Sequence, residues 1–314
     1  MKQPLVILTG PTAVGKTETS LRIAEKIRAE ILSADSMQVY KGLDIGSAKI
    51  RPEEQNGIRH HLIDVLDPWE DFNVVRFQQM AKKAMKEIWR RGHIPLVTGG
   101  TGFYIQAILY DIDFTETEAG ASFRKKWERM ADEKGALWLH DRLREVDRES
   151  AEAIHPHNIK RVVRALEFFE QTGEKISRHN ETERQKASPY AFSYFVLTRP
   201  REELYRRIDL RVDQMMEQGL LEEVRKLKEQ GCRRGFTSMQ GLGYKELLAY
   251  LDGAFSLEEA VYRIKRDTRH FAKRQLTWFS REREVTRVDM DAFSDIDSLD
   301  AFLLEEMKRK GCIE

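Results

Sequence analysis

Long apolar runs are missing from this sequence. No stretch approaches the roughly 18 residues a membrane-spanning helix needs, and the chain passes almost directly into a strand, so neither a span nor a signal peptide is expected. Cysteine is scarce: Cys232 and Cys312 are the two in 314 residues, far apart and without metal-ligand spacing. That argues against a disulfide scaffold and suits a reducing cytosol in which both are plain thiols. Repeats and low-complexity tracts are lacking as well. So is an excess of either charge, the formal net charge being +1, although the charges are segregated along the chain. With 41% hydrophobic and 33% charged residues, the composition is that of a soluble globular protein. The length allows one large domain with an insertion, or two domains sharing a core.

What is present starts with the apolar residues Leu5, Val6, Ile7 and Leu8, which run into Gly10, Pro11, Thr12, Ala13, Val14, Gly15, Lys16 and Thr17. This is a Walker A loop in its required setting, with a buried strand before it and a helix with the apolar stripe Leu21, Ala24 and Ile27 behind it. The glycines let successive N–H groups face inward, Lys16 supplies a point charge, and Thr17 offers a hydroxyl to Mg²⁺ at the positive end of the helix. The loop therefore holds a di- or triphosphate. ATP, GTP or the pyrophosphate of another compound would fit equally.

Residues 29–34 read as a second strand, ending at Asp35, Ser36, Met37 and Gln38. Ligands of open α/β sheets sit beyond the carboxyl ends of strands, so Asp35 can reach whatever the loop holds; an Asp capping the next turn fits its position as well. The glycine-rich stretch 40–49 reads as a functional loop. A strand is expected over 60–65, with His60 and His61 on opposite faces and so not sharing a metal. A helix is expected over 73–91, stopped by Gly92. Residues 94–97 form the next strand, followed by Thr98, Gly99, Gly100, Thr101 and Gly102, where glycine lets a substrate approach the backbone. No Asp or Glu ends this strand as in a Walker B strand, which weakens an ATPase reading.

From about Phe114 to Gly173 charged amphipathic helices follow without strands, as in a helical insertion. Within it Val162, Leu166 and Phe169 share one helix face, and Lys160, Arg161 and Arg164 another. The basic face is either solvated surface or a phosphate contact. Residues 190–197 return to the sheet, and a helix follows with Arg207 and Arg211 one turn apart. Between Val261 and Trp278 six Lys or Arg residues face a single Asp, interleaved with Tyr262, His270, Phe271 and Trp278. Such a mixture fits an RNA-facing surface; the aromatics fit a core equally.

The segments GPTAVGKT (10–17), SADSMQVYKGLDIGSAK (33–49), GGTGFY (99–104), HPHNIKRVVRALE (155–167) and KRQLTWF (273–279) closely resemble the bacterial tRNA dimethylallyltransferases, also called tRNA isopentenyltransferases. The resemblance implies an α/β fold, a P-loop core with a mostly parallel sheet over 1–113 and 186–314 and a helical, tRNA-binding insertion over 114–185. It implies transfer of a dimethylallyl group from dimethylallyl pyrophosphate to the N6 amine of adenosine 37 of tRNA by a cytoplasmic monomer, with pyrophosphate rather than nucleotide in the P-loop and Mg²⁺ as cofactor. By position Asp35 matches the general base, Lys16 and Arg211 steady the pyrophosphate, and Thr17 serves the metal. Thr101 is grouped with these catalytic residues, and Thr101 and Arg124 match sites near the tRNA. Ser36, Met37 and Gln38, the run Lys160, Arg161, Val162, Val163 and Arg164, the loop Gln240, Gly241, Leu242, Gly243, Tyr244 and Lys245, and the segment Lys273, Arg274, Gln275, Leu276, Thr277 and Trp278 match tRNA contacts. Some relatives have Gln where Lys160 stands. No Cys/His set for a C-terminal zinc finger is present. The rival readings are a P-loop kinase of a small metabolite and an RNA-binding module with a vestigial P-loop.

Overall fold

In the computed structural model, which describes residues 2–114 and 120–314, the apolar run ahead of the glycines forms strand β1 (Pro4–Thr9), with Leu5 to Leu8 wholly buried. Burial on both faces is what a central parallel strand requires. Helix α1 (Lys16–Lys26) follows, burying Ser20, Ile23 and Ala24, then β2 (Ala29–Ser33) and β3 (His60–His61). The strand expected over 60–65 is only two residues long. Leu62 and Asp64 take positive φ angles of 62° and 54° and turn the chain out of the extended region. Helix α2 (Val74–Arg90) starts at Asn73, whose side chain accepts from the Arg76 N–H, and stops before Gly92 at φ 74°. Strand β4 (Ile94–Gly99) and helix α3 (Gly102–Leu109) come next.

Helices α4 (Gly120–Lys134), α5 (Ala136–Val146), α6 (Arg148–Ala153), α7 (Ile159–Thr172) and α8 (Ile176–Gln185) follow without a strand. The chain then re-enters the sheet as β5 (Ala191–Thr198), followed by α9 (Arg201–Glu217), α10 (Leu220–Glu229), α11 (Tyr244–Leu251) and α12 (Leu257–Phe279). Strand β6 (Val285–Asp289) and helix α13 (Ile296–Arg309) end it.

Two compact units result, one from Met1–Leu109 with Pro189–Glu314 and one from Tyr110–Ser188. Residues 115–119, which the sequence reading includes in the insertion, lie outside the described residues. In the larger unit the strands run parallel in the order β3-β2-β4-β1-β5-β6. β1 and β2 thus flank β4, and the chain later crosses to the other side of β1, which makes the β1/β4 boundary the switch point where ligands bind. Val6, Leu8, Ile23, Leu96, Phe195, Ile208 and Leu303 belong to one core cluster of this unit. Both cysteines are free and buried. The small unit has its own core, in which Val162, Val163, Ala165 and Leu166 of α7 join Leu139 and Leu143 of α5.

Candidate active site

The carboxyl ends of four adjacent strands meet around the Walker A loop. Thr9 Oγ1 at the end of β1 donates to Gly99 O at the end of β4, 2.6 Å away. Gly10 has φ 148°, and a Cβ there would lie 2.4 Å from Leu197 O of β5, so a side chain would collide with backbone. Gly15, at φ 114°, precedes α1 and offers no side chain to cap it, which leaves the first-turn N–H groups available to an anion. Lys16 folds back over the loop, donating from Nζ to Gly10 O at 3.0 Å and Pro11 O at 2.8 Å. Its pKa is pushed down to about 7, first by burial and then by Arg211, while Asp35 acts in the opposite direction.

Asp35 follows β2 and is half-buried. Its Oδ1 accepts from the Met37 N–H at 2.8 Å, so it caps the turn as one of the two sequence readings had it; the carboxylate's second oxygen takes no part in that bond. Burial lowers the Arg211 pKa from its ordinary value; Asp35 opposes this and Arg207 adds to it. Lys16, Asp35 and Arg211, each half-buried, therefore influence one another electrostatically. Thr101 N–H reaches Ala34 O at 3.3 Å, which brings the end of β4 beside Asp35.

Three side chains that sequence reasoning gave no role in the loop brace it. Arg207 Nε donates to Ala13 O at 2.9 Å, Arg199 Nε to Val14 O at 3.1 Å, and Gln275 Oε1 accepts from Thr12 N–H at 2.9 Å. Arg199 also pairs with Asp291. Only Arg207 left a signal in the sequence, by standing one turn before Arg211. The glycines after β4 also admit side chains of α12. A Cβ at Gly100 would lie 2.2 Å from Gln275 Nε2, and one at Gly102 would lie 2.1 Å from Trp278 Nε1. It is α12 that comes close to this backbone.

The residues grouped as tRNA contacts separate by exposure. Lys160 and Arg161 on α7, and Lys273, Arg274 and Thr277 on α12, are exposed. Among the described residues none of these four cations forms an ion pair. The other basic residues of α12 are engaged: Arg263 with Glu259, Lys265 with Asp213, Arg266 with Asp267 and Arg269 with Asp209. Arg124 and Arg164 both pair with the buried Glu167, at 3.1 and 3.2 Å, while staying about half exposed. Lys245 lies 3.3 Å from Glu246. Gln240 is exposed, its Nε2 donating to Arg234 O.

Several grouped residues are turned inward. Val162 and Val163 belong to the small unit's core because the helical period puts them opposite the basic face. Tyr244 is buried with its hydroxyl on Glu223 at 2.6 Å, and Gly241 and Gly243 are buried with it, Gly241 against Met37. Leu276 packs on the core cluster and Leu242 is half-buried. Gln38 donates to Ser47 O and Ala48 O, at 3.4 and 3.5 Å, and lies 2.9 Å from the Ser33 hydroxyl, so it ties loop 40–49 to β2. Glu223 grips the same loop through the N–H groups of Asp44, Ile45 and Gly46. Ser36 is half-buried beside them.

A parallel sheet with a Walker A loop at its switch point, backed by lysine and arginine, defines an α/β protein of the P-loop kind. A family model described as IPP transferase matches residues 38–282, and one described as isopentenyl transferase matches residues 3–67. The chain belongs to the IPP transferase family. It is 57% identical over 305 residues to a tRNA dimethylallyltransferase of Lachnoclostridium phytofermentans, covering 97% of this chain and 96% of that one. Among solved structures it is similar to the full-length tRNA isopentenylpyrophosphate transferase of Bacillus halodurans, at 43% identity and a TM-score of 0.74 over 99% of this chain and 98% of the other. It is also similar to a eukaryotic dimethylallyltransferase acting on tRNA, at 28% identity and a TM-score of 0.81 over 98% of this chain and 80% of that one.

Proposed function

We propose that the protein transfers the dimethylallyl group of dimethylallyl pyrophosphate to the exocyclic N6 amine of adenosine 37 in tRNA, releasing pyrophosphate. The observation that carries this reading is the Walker A loop with Lys16 folded over it, at the sheet edge where Asp35 follows β2. Lys16, with Arg211 electrostatically coupled to it, serves a leaving polyanion and the carboxylate takes a proton. An adenine amine is a weak nucleophile because its lone pair is delocalised into the ring. As N6 bonds to the allylic carbon, the C–O bond breaks and its electron pair goes to pyrophosphate. Asp35 takes the N6 proton on the oxygen that does not bind Met37, an assistance of about 10²–10⁴-fold. Loop N–H groups, Lys16 and Arg211 stabilise the charge that grows on pyrophosphate.

Mg²⁺, when bound, neutralises part of that charge. Thr17 is exposed on the first turn of α1, and its hydroxyl is the group that would touch Mg²⁺, an ion commonly held by phosphate oxygens, waters and few protein groups.

The target base must leave the anticodon-loop stack, which costs a few kcal/mol. In this reading the unpaired cations offset it by binding tRNA phosphates, Lys160 and Arg161 on the small unit and Lys273 and Arg274 on α12. Among the described residues no helix is long and apolar enough to cross a membrane. A tRNA substrate implies work in the cytoplasm, and we read the active form as a monomer.

The test is incubation of the protein with labelled dimethylallyl pyrophosphate, ATP and bulk tRNA. Label should enter tRNA and, after nuclease digestion, be found on adenosine. Phosphoryl transfer from ATP to a small metabolite, with no label in tRNA, would overturn the reading in favour of a kinase.

A further inference from the structure

Gln275 lies on α12, a helix with six Lys or Arg residues, between exposed Arg274 and Thr277, yet only 5% of it is exposed. Its side chain spans two segments of the site. Oε1 accepts from the Thr12 N–H in the Walker A loop and Nε2 donates to Gly100 O after β4, each at 2.9 Å. Bridging a backbone N–H and a backbone C=O needs an acceptor and a donor on one planar group. Among side chains of this length the primary amide meets that need; an ionised Glu offers no donor and an aliphatic residue neither. The surrounding sequence is shaped to admit it. Gly100 has no Cβ to meet Nε2, and one turn along α12 Trp278 lies just as tightly on Gly102.

We propose that Gln275 is a positioning residue of the pyrophosphate cradle rather than a tRNA contact. By holding Thr12 it fixes the turn from which the N–H groups of the loop proceed toward the phosphates. By holding Gly100 it ties that turn to the strand end that carries Thr101 and adjoins Asp35. The inference rests on the reading of the loop as a pyrophosphate site.

The experiment is calorimetric titration of the intact protein with inorganic pyrophosphate and Mg²⁺, far below the melting temperature, with tRNA affinity measured alongside. Gln275→Ala leaves Thr12 N–H and Gly100 O without their partner and should weaken pyrophosphate binding roughly tenfold, while tRNA affinity stays within about twofold. In transfer assays KM for dimethylallyl pyrophosphate should rise more than kcat falls, a split that general loosening of the fold would not give. Gly100→Ala attacks the same bond from the other side. It should mimic Gln275→Ala alone and add little to it in the double variant, because the clash is then gone. Gly100→Ala also serves if Gln275→Ala fails to fold. Unchanged pyrophosphate affinity with weakened tRNA binding in Gln275→Ala would overturn the proposal and restore the tRNA-contact reading. If the wild-type protein itself binds no pyrophosphate, both the proposal and the reading beneath it fall, an outcome distinct from failure of the bridge alone.

Discussion

Arg207 holds Ala13: its Nε donates to the Ala13 carbonyl at 2.9 Å, and Ala13 is the non-glycine residue of the Walker A loop with a left-handed backbone, φ 64°. That conformation costs an L-residue about 1 kcal/mol, and a charge-assisted bond worth about 1.5–3 kcal/mol outweighs it. Arg207→Ala should therefore weaken pyrophosphate binding about tenfold or more and leave tRNA affinity nearly unchanged. Arg207→Lys, which keeps the charge but not the directed Nε–H, should recover only part of the loss. Calorimetry on the two variants checks this, and wild-type affinity in Arg207→Ala would remove the residue from the cradle.

Lys16 should make pyrophosphate binding depend on pH. Its folded pKa of about 7 lies below the ordinary 10.5, and a polyanion beside it must raise that value. Above pH 7 the free protein has shed a proton that the complex retains, so binding takes up a proton and affinity falls as pH rises. Between about 7 and 10.5 the unfolded chain also binds more protons than the folded one, so this residue's share of stability rises with pH through that window. Lys16→Met should abolish the proton uptake that titrations in buffers of different ionisation enthalpy measure. Pyrophosphate's own titration is common to both proteins and cancels in the comparison.

The two arginines of the α7 basic face should behave differently. Arg161 is exposed without an ion pair among the described residues, whereas Arg164 is tied to Glu167. Arg161→Ala should flatten the salt dependence of tRNA binding by about 0.7–0.9 in log–log slope and leave the melting temperature alone. Glu167→Ala strips a partner from both Arg124 and Arg164 and should cost stability, by about 1–3 kcal/mol. Filter binding against salt and thermal melts separate the two effects. An Arg161→Ala slope equal to wild type would make that face plain solvated surface.

What could be read from the sequence was whatever lies close together along the chain. The loop from Gly10 to Thr17 carries its strand, its helix and its lysine within one segment, and Asp35 announces itself by ending a strand. The Gln275 to Thr12 bond joins residues 263 positions apart; the helical period sets Gln275 on the buried stripe of Ala272 and Phe279, but no local pattern reveals what it meets there. Val162 and Val163 were grouped with their basic neighbours because motif resemblance runs along the chain, whereas burial follows the helical period. Glu167, a charged side chain that composition alone would leave in solvent, is wholly buried, with Arg124 and Arg164 upon it. The glycines at 100 and 102 signalled a close approach correctly, but glycine does not say what approaches.

The central claim is that Asp35 accepts the proton of the adenosine amine while the Walker A loop holds the pyrophosphate, and Asp35→Asn tests it most directly. Asn is nearly isosteric and its Oδ1 still accepts from the Met37 N–H, so the turn that Asp35 caps survives; what is lost is the ability to take a proton. Single-turnover transfer with saturating dimethylallyl pyrophosphate and tRNA isolates the chemical step from binding and release. The account predicts near wild-type affinity for both substrates and a rate lower by about 10²-fold or more. A rate within about threefold of wild type, as a mere turn cap would give, would contradict it.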